Sequence, residues 1–384
     1  MKYKIIVAFV FTALWISTAF AENGPSVTVN CAQGQSLNGA LSKLPKLLPV
    51  TVFVKGTCTE YVSINGFTGL TLKGLPGAAL QQPSTSPGNG APVYVLLIQS
   101  SQSITVDGFA VHSGSSALGG IAIGRNSIDV QLRNLSMDGG ASFQFFIYEE
   151  SQVSLARVTA NNLGYAILGA FDVSDVHIES SLFDGGIAGI VAGTGHVTIQ
   201  TTTIRNMATG ISVVNHGEVD IQSFNSYYPL SLPTDVAIDN VSHRAVEMIG
   251  GAHFNLGDTN LRITNAGRPW DSGSAAIWIT DASSLTDFNG HLSISGSRGQ
   301  GILVSNNSHA TFTGSSITGG SHGGLVVTNL SSASIGSGNQ TLFGGNATDV
   351  FCDSRSLITG SANLAGAPVL NCSNLLFGDT EPLP

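Results

Sequence analysis

The sequence predicts an all-β chain folded as a right-handed parallel β-helix, a solenoid built from coils of about 22 residues. Three observations carry this. Valines recur at Val130, Val153, Val176, Val197 and Val219, a period of about 22 residues. Each opens a short run in which apolar and polar residues alternate, as Val176 and Ile178 do against Asp175, His177 and Glu179. That period of two marks a strand with one buried face. Composition agrees: 47 glycines, 10% charged and 42% hydrophobic residues suit many short strands joined by tight turns, and are too apolar for a disordered chain.

Each repeat carries a further apolar position (Phe183, Ile204), a Gly or Asn turn, and a strand of the form GI-x-V, with Ile190 and Val191 in one copy and Ile211 and Val213 in the next. Several strands per period stack into coils that share one core. Helical repeats need a longer period, and the L-x-x-L-x-L-x-x-N spacing of leucine-rich repeats is absent. Later coils keep the pattern more loosely at Val246/Met248, Ile277/Ile279, Ile302/Val304 and Leu325/Val327. Asn134, Asn161, Asn162 and Asn206, with Asp184, fall at similar turn positions. Their expected role is structural, hydrogen-bonding from coil to coil.

The ends read differently. Residues 1–21 combine Lys2 and Lys4, an apolar run from Ile5 to Ile16, and small residues at Ala19 and Ala21. This is a secretory signal, and it places the mature chain outside the cytoplasm, secreted or periplasmic. No second apolar run is long enough to span a membrane, so no membrane insertion of the mature chain is expected. Residues 22–74 then form an N-terminal cap and the first coils, 75–348 the β-helix, and 349–384 a closing segment and tail. "SLNGALSKL" sets Leu37, Ala40, Leu41 and Leu44 on one helical face before Pro45, which predicts a short capping helix over the first coil. Four cysteines allow three pairings. In an exported chain, Cys31 with Cys58 and Cys352 with Cys372 are the expected disulfides, each worth about 2–4 kcal/mol. About a dozen coils rising ~4.8 Å each hold the two pairs over ~50 Å apart, which excludes cross-pairing. The formal charge of −9 grows more negative once Lys2 and Lys4 leave, and excludes nucleic acid as a natural partner.

Residues 29–74 ("VNCAQGQSLNGALSKLPKLLPVTVFVKGTCTEYVSINGFTGLTLKG") resemble the entry segment of secreted bacterial right-handed β-helix proteins of the pectate-lyase-like superfold. Residues 349–372 ("DVFCDSRSLITGSANLAGAPVLNC") resemble the closing segment of some members. With the repeats between them, the resemblance covers nearly all of the mature chain. It implies the fold and an extracellular setting. It carries no catalytic residue over: the N-T-D, D-D and G-H-G signature of polygalacturonase-like members is missing, and "GRPWD" lacks the second arginine of R-x-P-x-x-R.

Stacking turns the sequence into columns. Asp129, Gln152, Asp175, His196 and Glu218 form one outward column, Gln131, Ser154, His177, Thr198 and Asp220 the next, and Arg133, Ala156, Glu179, Gln200 and Gln222 a third. Neighbours within a column lie ~4.8 Å apart. Asp175, His177, His196, Glu218 and Asp220, beside Glu179, are therefore candidate acid–base residues, since paired carboxylates with histidines can move protons. Two interruptions of the repeat, 225–240 and 265–274, are expected to leave after a coil's last strand and to stand side by side as a cleft wall. Tyr227, Tyr228 and Trp270 would stack on sugar rings there, with Arg268, Asp235 and Asp271 as polar contacts. Glu149, Glu150 and Asp172 are candidate ligands for calcium, a hard cation that takes oxygen donors. The expected function is binding or processing of a polysaccharide or cell-surface glycan along the outer surface, by a lyase or glycoside hydrolase if it is an enzyme. The alternative is a non-catalytic extracellular scaffold or adhesin-like protein.

Overall fold

The computed structural model describes residues 24–84, 94–114, 118–140, 142–161, 164–222, 235–269, 274–287, 290–336, 341–346, 348–360, 364–365 and 369–370. They form a parallel β-solenoid. Its three sheets, A, B and C, hold 14, 13 and 13 strands, and from Val50–Lys55 onward successive strands along the chain visit A, B and C in turn. The valine anchors are the inward column of sheet A: Val153, Val176, Val197 and Val219 pair in register and are buried. Phe183 and Ile204 stack inward on sheet B, and Ile190, Ile211 and Val213 do so on sheet C. Val191, next to Ile190 in the same strand, packs instead on the outer side of sheet C with Phe143 and Phe171. Among the described residues, no helix is long and apolar enough to cross a membrane.

The corners explain why so polar a sequence stacks. Where sheet C passes to sheet A, two consecutive residues take left-handed backbone on coil after coil. Glu149 and Glu150 (φ 53° and 55°), Asp172 and Val173 (52° and 59°), Asn215 and His216 (53° and 66°), and Asn306 and Asn307 (54° and 60°) are examples. That conformation costs roughly 1–2 kcal/mol for each residue with a Cβ. At most of these corners an inward serine just after the turn offsets it, whereas Gly217 takes that place after His216. The hydroxyl of Ser127 accepts from the Ser101 amide at 3.4 Å, that of Ser151 from Ser127 at 3.3 Å, and Ser308 and Ser331 continue the pattern at 3.2 Å. These serines are buried, so the ladder satisfies amides that water cannot reach.

The asparagines divide between corners rather than sharing one. Asn134 turns from sheet A to B with φ 52°, Asn161 ends a sheet-B strand, and Asn206 turns from B to C with φ 58°. The coil-to-coil bonds are present: Asn240 donates to Asn206 at 2.8 Å, and Asn206 to Asp184 at 2.7 Å. Asn162 lies outside the described residues. At the N-terminal end the helix is a single turn, Leu37–Leu41, with Leu37 and Leu41 buried and Leu44 only partly so. Ser36 and Glu60 accept from its first amides, as orphan donors at a helix start require. Cys31 and Cys58 form a disulfide with Cα atoms 5.0 Å apart. Cys352 is also disulfide-bonded, and Cys372 lies outside the described residues.

Candidate functional site

The sheet-A columns assemble in the expected register. Asp175, His196 and Glu218 are successive neighbours, as are His177, Thr198 and Asp220. The side chains then choose partners by reach. His196 sits between two carboxylates, with Nδ1 2.9 Å from Asp175 and Nε2 3.1 Å from Asp220. Asp175 also takes His177 Nε2 at 3.3 Å along its own strand. Asn255 on the next coil donates to Asp220 at 2.9 Å and to Glu218 at 3.2 Å, so Glu218 meets an amide rather than a histidine. Glu179 faces Gln200 in the outer column.

Two carboxylates on one imidazole favour a ring with both nitrogens protonated. Hydrogen bonds to Asp175 and then Asp220 raise the pKa of His196 from 6.5 to about 10. Bonds from His177 and His196 hold Asp175 well below the usual carboxylate range. Burial pushes Asp220 upward, but His196 and Asn255 outweigh it and the net shift is down. A histidine charged at neutral pH with both nitrogens engaged is a poor proton acceptor. The cluster is arranged as an electrostatic clamp across consecutive coils.

Its pH dependence follows from the signs of these shifts. The raised His196 contributes fully below pH 6.5 and loses its contribution as pH climbs through about 10. The lowered aspartates contribute fully above about pH 4 and lose it as pH falls through their folded values. Because the side chains are about a third exposed, solvent screening limits the effect to about 1 kcal/mol. The stability difference between wild type and His196→Gln should therefore be greatest between about pH 4 and 6.5 and vanish near pH 10. Melting curves across that range check this; a constant difference would contradict the clamp.

A second constellation, which the sequence columns did not reveal, lies on the outer face of sheet C. Tyr94, Phe143, Phe146, Tyr148, Tyr165 and Phe171 form one continuous ring contact network. Tyr94 and Phe146 are nearly parallel at 11° with centroids 6.0 Å apart, and Tyr148 tilts only 34° from Phe146 at 5.1 Å. Phe143 stands edge-on to Tyr165 and Phe171, with centroids 5.5 and 5.9 Å away.

Glycines on adjacent coils make room for these rings. A Cβ on Gly124 would come within 2.3 Å of the Tyr148 ring, one on Gly169 within 2.6 Å of Phe171 and 2.7 Å of Phe143, and one on Gly193 within 2.3 Å of Phe171. The rings therefore lie down across the sheet. Leu118, Tyr165 and Ile187 extend the apolar surface along the B-to-C edge, at 37%, 49% and 54% exposure. Tyr148 accepts from Gln99 at 3.1 Å. Burial, then the neighbouring Tyr148, pushes the Tyr94 hydroxyl up to about 12, so it remains a neutral hydrogen-bonding group.

The remaining candidates are dispersed. Glu149, Glu150 and Asp172 line an open cleft of about 710 Å³ with Arg125 and Thr194. Glu149 accepts from the Arg125 amide at 3.0 Å. Among the described residues, these three carboxylates do not bring their oxygens together as a chelating set. The one convergent trio, Cys31, Cys58 and Glu60, has its sulfurs committed to the disulfide. The two interruptions begin at different corners. Ile221 ends a sheet-A strand and Val236 opens one on sheet B, whereas Thr264 ends a sheet-B strand and Ala275 opens one on sheet C. Arg268 is exposed at the B-to-C corner, where its amide donates to Ser274 at 2.8 Å. Asp235 accepts from Asn260 at 2.8 Å. Tyr227, Tyr228, Trp270 and Asp271 lie outside the described residues.

No protein-family model matches the chain, and no curated protein matches it either. Solved structures do. The surface adhesin PfbA of Streptococcus pneumoniae aligns over 87% of this chain and 93% of its own, at 14% identity and a TM-score of 0.49. An alginate lyase from Paenibacillus sp. str. FPU-7 aligns over 91% and 97%, at 12% identity and a TM-score of 0.28. The receptor-binding tailspike of bacteriophage Det7 aligns over 93% and 78%, at 10% identity and a TM-score of 0.41. The likeness is one of fold alone.

Proposed function

We propose that this chain is an exported protein that binds a polysaccharide on the outer face of sheet C. The observation that carries the reading is the ring floor itself: aromatic side chains laid over glycines of neighbouring coils, on a surface where a solvated strand would carry polar residues. A flat aromatic face bordered by hydroxyl and amide groups suits a sugar, which is apolar on its ring faces and polar at its edge. The signal-like segment at 1–21 supports export, and the acidic balance argues against nucleic acid. Binding rather than turnover is favoured because His196 and its aspartates are engaged with one another. Arg268, at the edge of the same face, supplies a polar contact.

Affinity electrophoresis through gels loaded with a panel of polysaccharides, with and without calcium, tests this. At least one polysaccharide should retard the protein, a chelator should leave the retardation unchanged, and neither reducing ends nor unsaturated products should accumulate. Free migration through every gel would refute the reading. Product release would move it from binding to catalysis.

A further inference from the structure

The ring floor is one end of a longer track. Sheet-C register carries the outward position of Phe146 through Gly169, Val191, Ser212 and Glu247 to Trp278. Five coil steps at ~4.8 Å each separate the two aromatic residues by about 24 Å, parallel to the solenoid axis. The far end is also planar: the Arg244 guanidinium lies 3.5 Å from the centroid of the Trp278 ring, and the indole N–H donates to Ser305 at 3.3 Å. Between the ends stand Gly169, Val191 and Ser212, then Glu247 beside Trp278, and Ala188 and Thr209 occupy the neighbouring outward column. Charge is balanced along this track, because Arg244 is ion-paired with Glu247. The same coils on the other two sheets carry Asp175, Glu218 and Asp220, and Asp184 with Arg205.

We infer that the ligand is an extended, linear, uncharged polysaccharide lying along the solenoid axis, engaging the ring floor at one end and the Trp278–Arg244 stack at the other. This rests on the glycan reading above and narrows it. A coil rises by about the length of one pyranose in an extended chain, so the track accommodates about five sugars. A compact or branched ligand reaches one end only. A polyuronate would set a carboxylate over nearly every coil of the track, where the Arg244 guanidinium is already paired, Arg268 stands at the edge of a single coil, and the chain as a whole is acidic. Most of those carboxylates would lose water without gaining partners.

Calorimetric titration with disaccharides, tetrasaccharides and hexasaccharides of cellulose, mixed-linkage glucan and chitin, and with oligogalacturonides of the same lengths, tests this. Affinity should rise about tenfold or more from tetrasaccharide to hexasaccharide, a gain of ~1.4 kcal/mol. Trp278→Ala should erase that gain and leave the tetrasaccharide unchanged, while Phe146→Ala weakens every length. Trp278→Leu, which keeps the bulk, should behave as Trp278→Ala does; both variants are to melt as wild type. Length-independent binding, or oligogalacturonides bound as tightly as neutral oligomers, would overturn this inference and leave glycan binding standing. No binding to any oligomer, with a dimer that Phe146→Ala dissociates, would overturn both and assign the face to a second copy of the chain.

Discussion

Asp287→Ala should remove about 3 kcal/mol of stability, although this carboxylate sits far from the ring floor. Asp287 holds an inward position of sheet A, in register with Leu256 before it and Phe312 after it, and is wholly buried. An unpaired charge there would be ruinous, but its oxygens are surrounded by donors. Oδ1 accepts from the amides of Gly290 and His291 at 3.1 and 3.2 Å, and Oδ2 from the Leu292 amide at 3.2 Å and the Ser315 hydroxyl at 2.8 Å. Alanine leaves three backbone amides without an acceptor in a site closed to water, and each orphaned donor costs about 1–3 kcal/mol before relaxation. Ser315→Ala, which removes one donor and leaves the carboxylate held by the rest, should cost about 1 kcal/mol. Urea unfolding measures the loss. Hydrogen exchange should localise it to the coils from 284 to 318. Less than about 0.5 kcal/mol for Asp287→Ala would show that the carboxylate is not what organises this corner.

Gly169→Val should abolish most glycan binding without replacing any ring. A side chain at Gly169 meets Phe171 and Phe143 closer than van der Waals contact, and both neighbours are side chains that can swing outward. The fold then survives while the floor buckles. Loss of one flat contact is worth about 1 kcal/mol or more, and tilting two rings should weaken affinity at least tenfold. Gly217 makes the control. A Cβ there meets the backbone oxygens of Ala192 and Gly193 at 2.4 and 2.7 Å, so Gly217→Val should destabilise the solenoid instead. A Gly169→Val protein that binds as wild type would mean that the flatness of the rings is irrelevant to function.

The sheet-A columns were legible in the sequence because the strands there from Val130 to Ile221 alternate without interruption, so Val176 and Ile178 fix the outward set Asp175, His177 and Glu179. What spacing could not supply was the pairing: His196 reaches diagonally to Asp220, whereas its column neighbour Glu218 turns to Asn255. Sheet C was harder. After their first residue its strands carry two consecutive buried residues, Val95 and Leu96, Gln144 and Phe145, Ile167 and Leu168, and this extra inward residue shifts the parity. Phe143 and Phe146 consequently both face outward, an arrangement that strict alternation forbids. The signal available was the run "FQFFIY", which holds more aromatics than one buried face can take. Asp287 was invisible for the opposite reason: it occupies a core position by register, and its donors come mostly from main-chain amides that carry no sequence signature.

Hydroxyl-radical footprinting with and without a bound neutral hexasaccharide tests the central claim most directly, since it reads exposed aromatic rings residue by residue. Saturating ligand should protect Tyr94, Phe146, Tyr148 and Tyr165 on sheet C and leave His177 and His196 on sheet A as reactive as in the free protein. Protection confined to the sheet-A histidines, or unchanged oxidation of the ring floor while the glycan is bound, would contradict it.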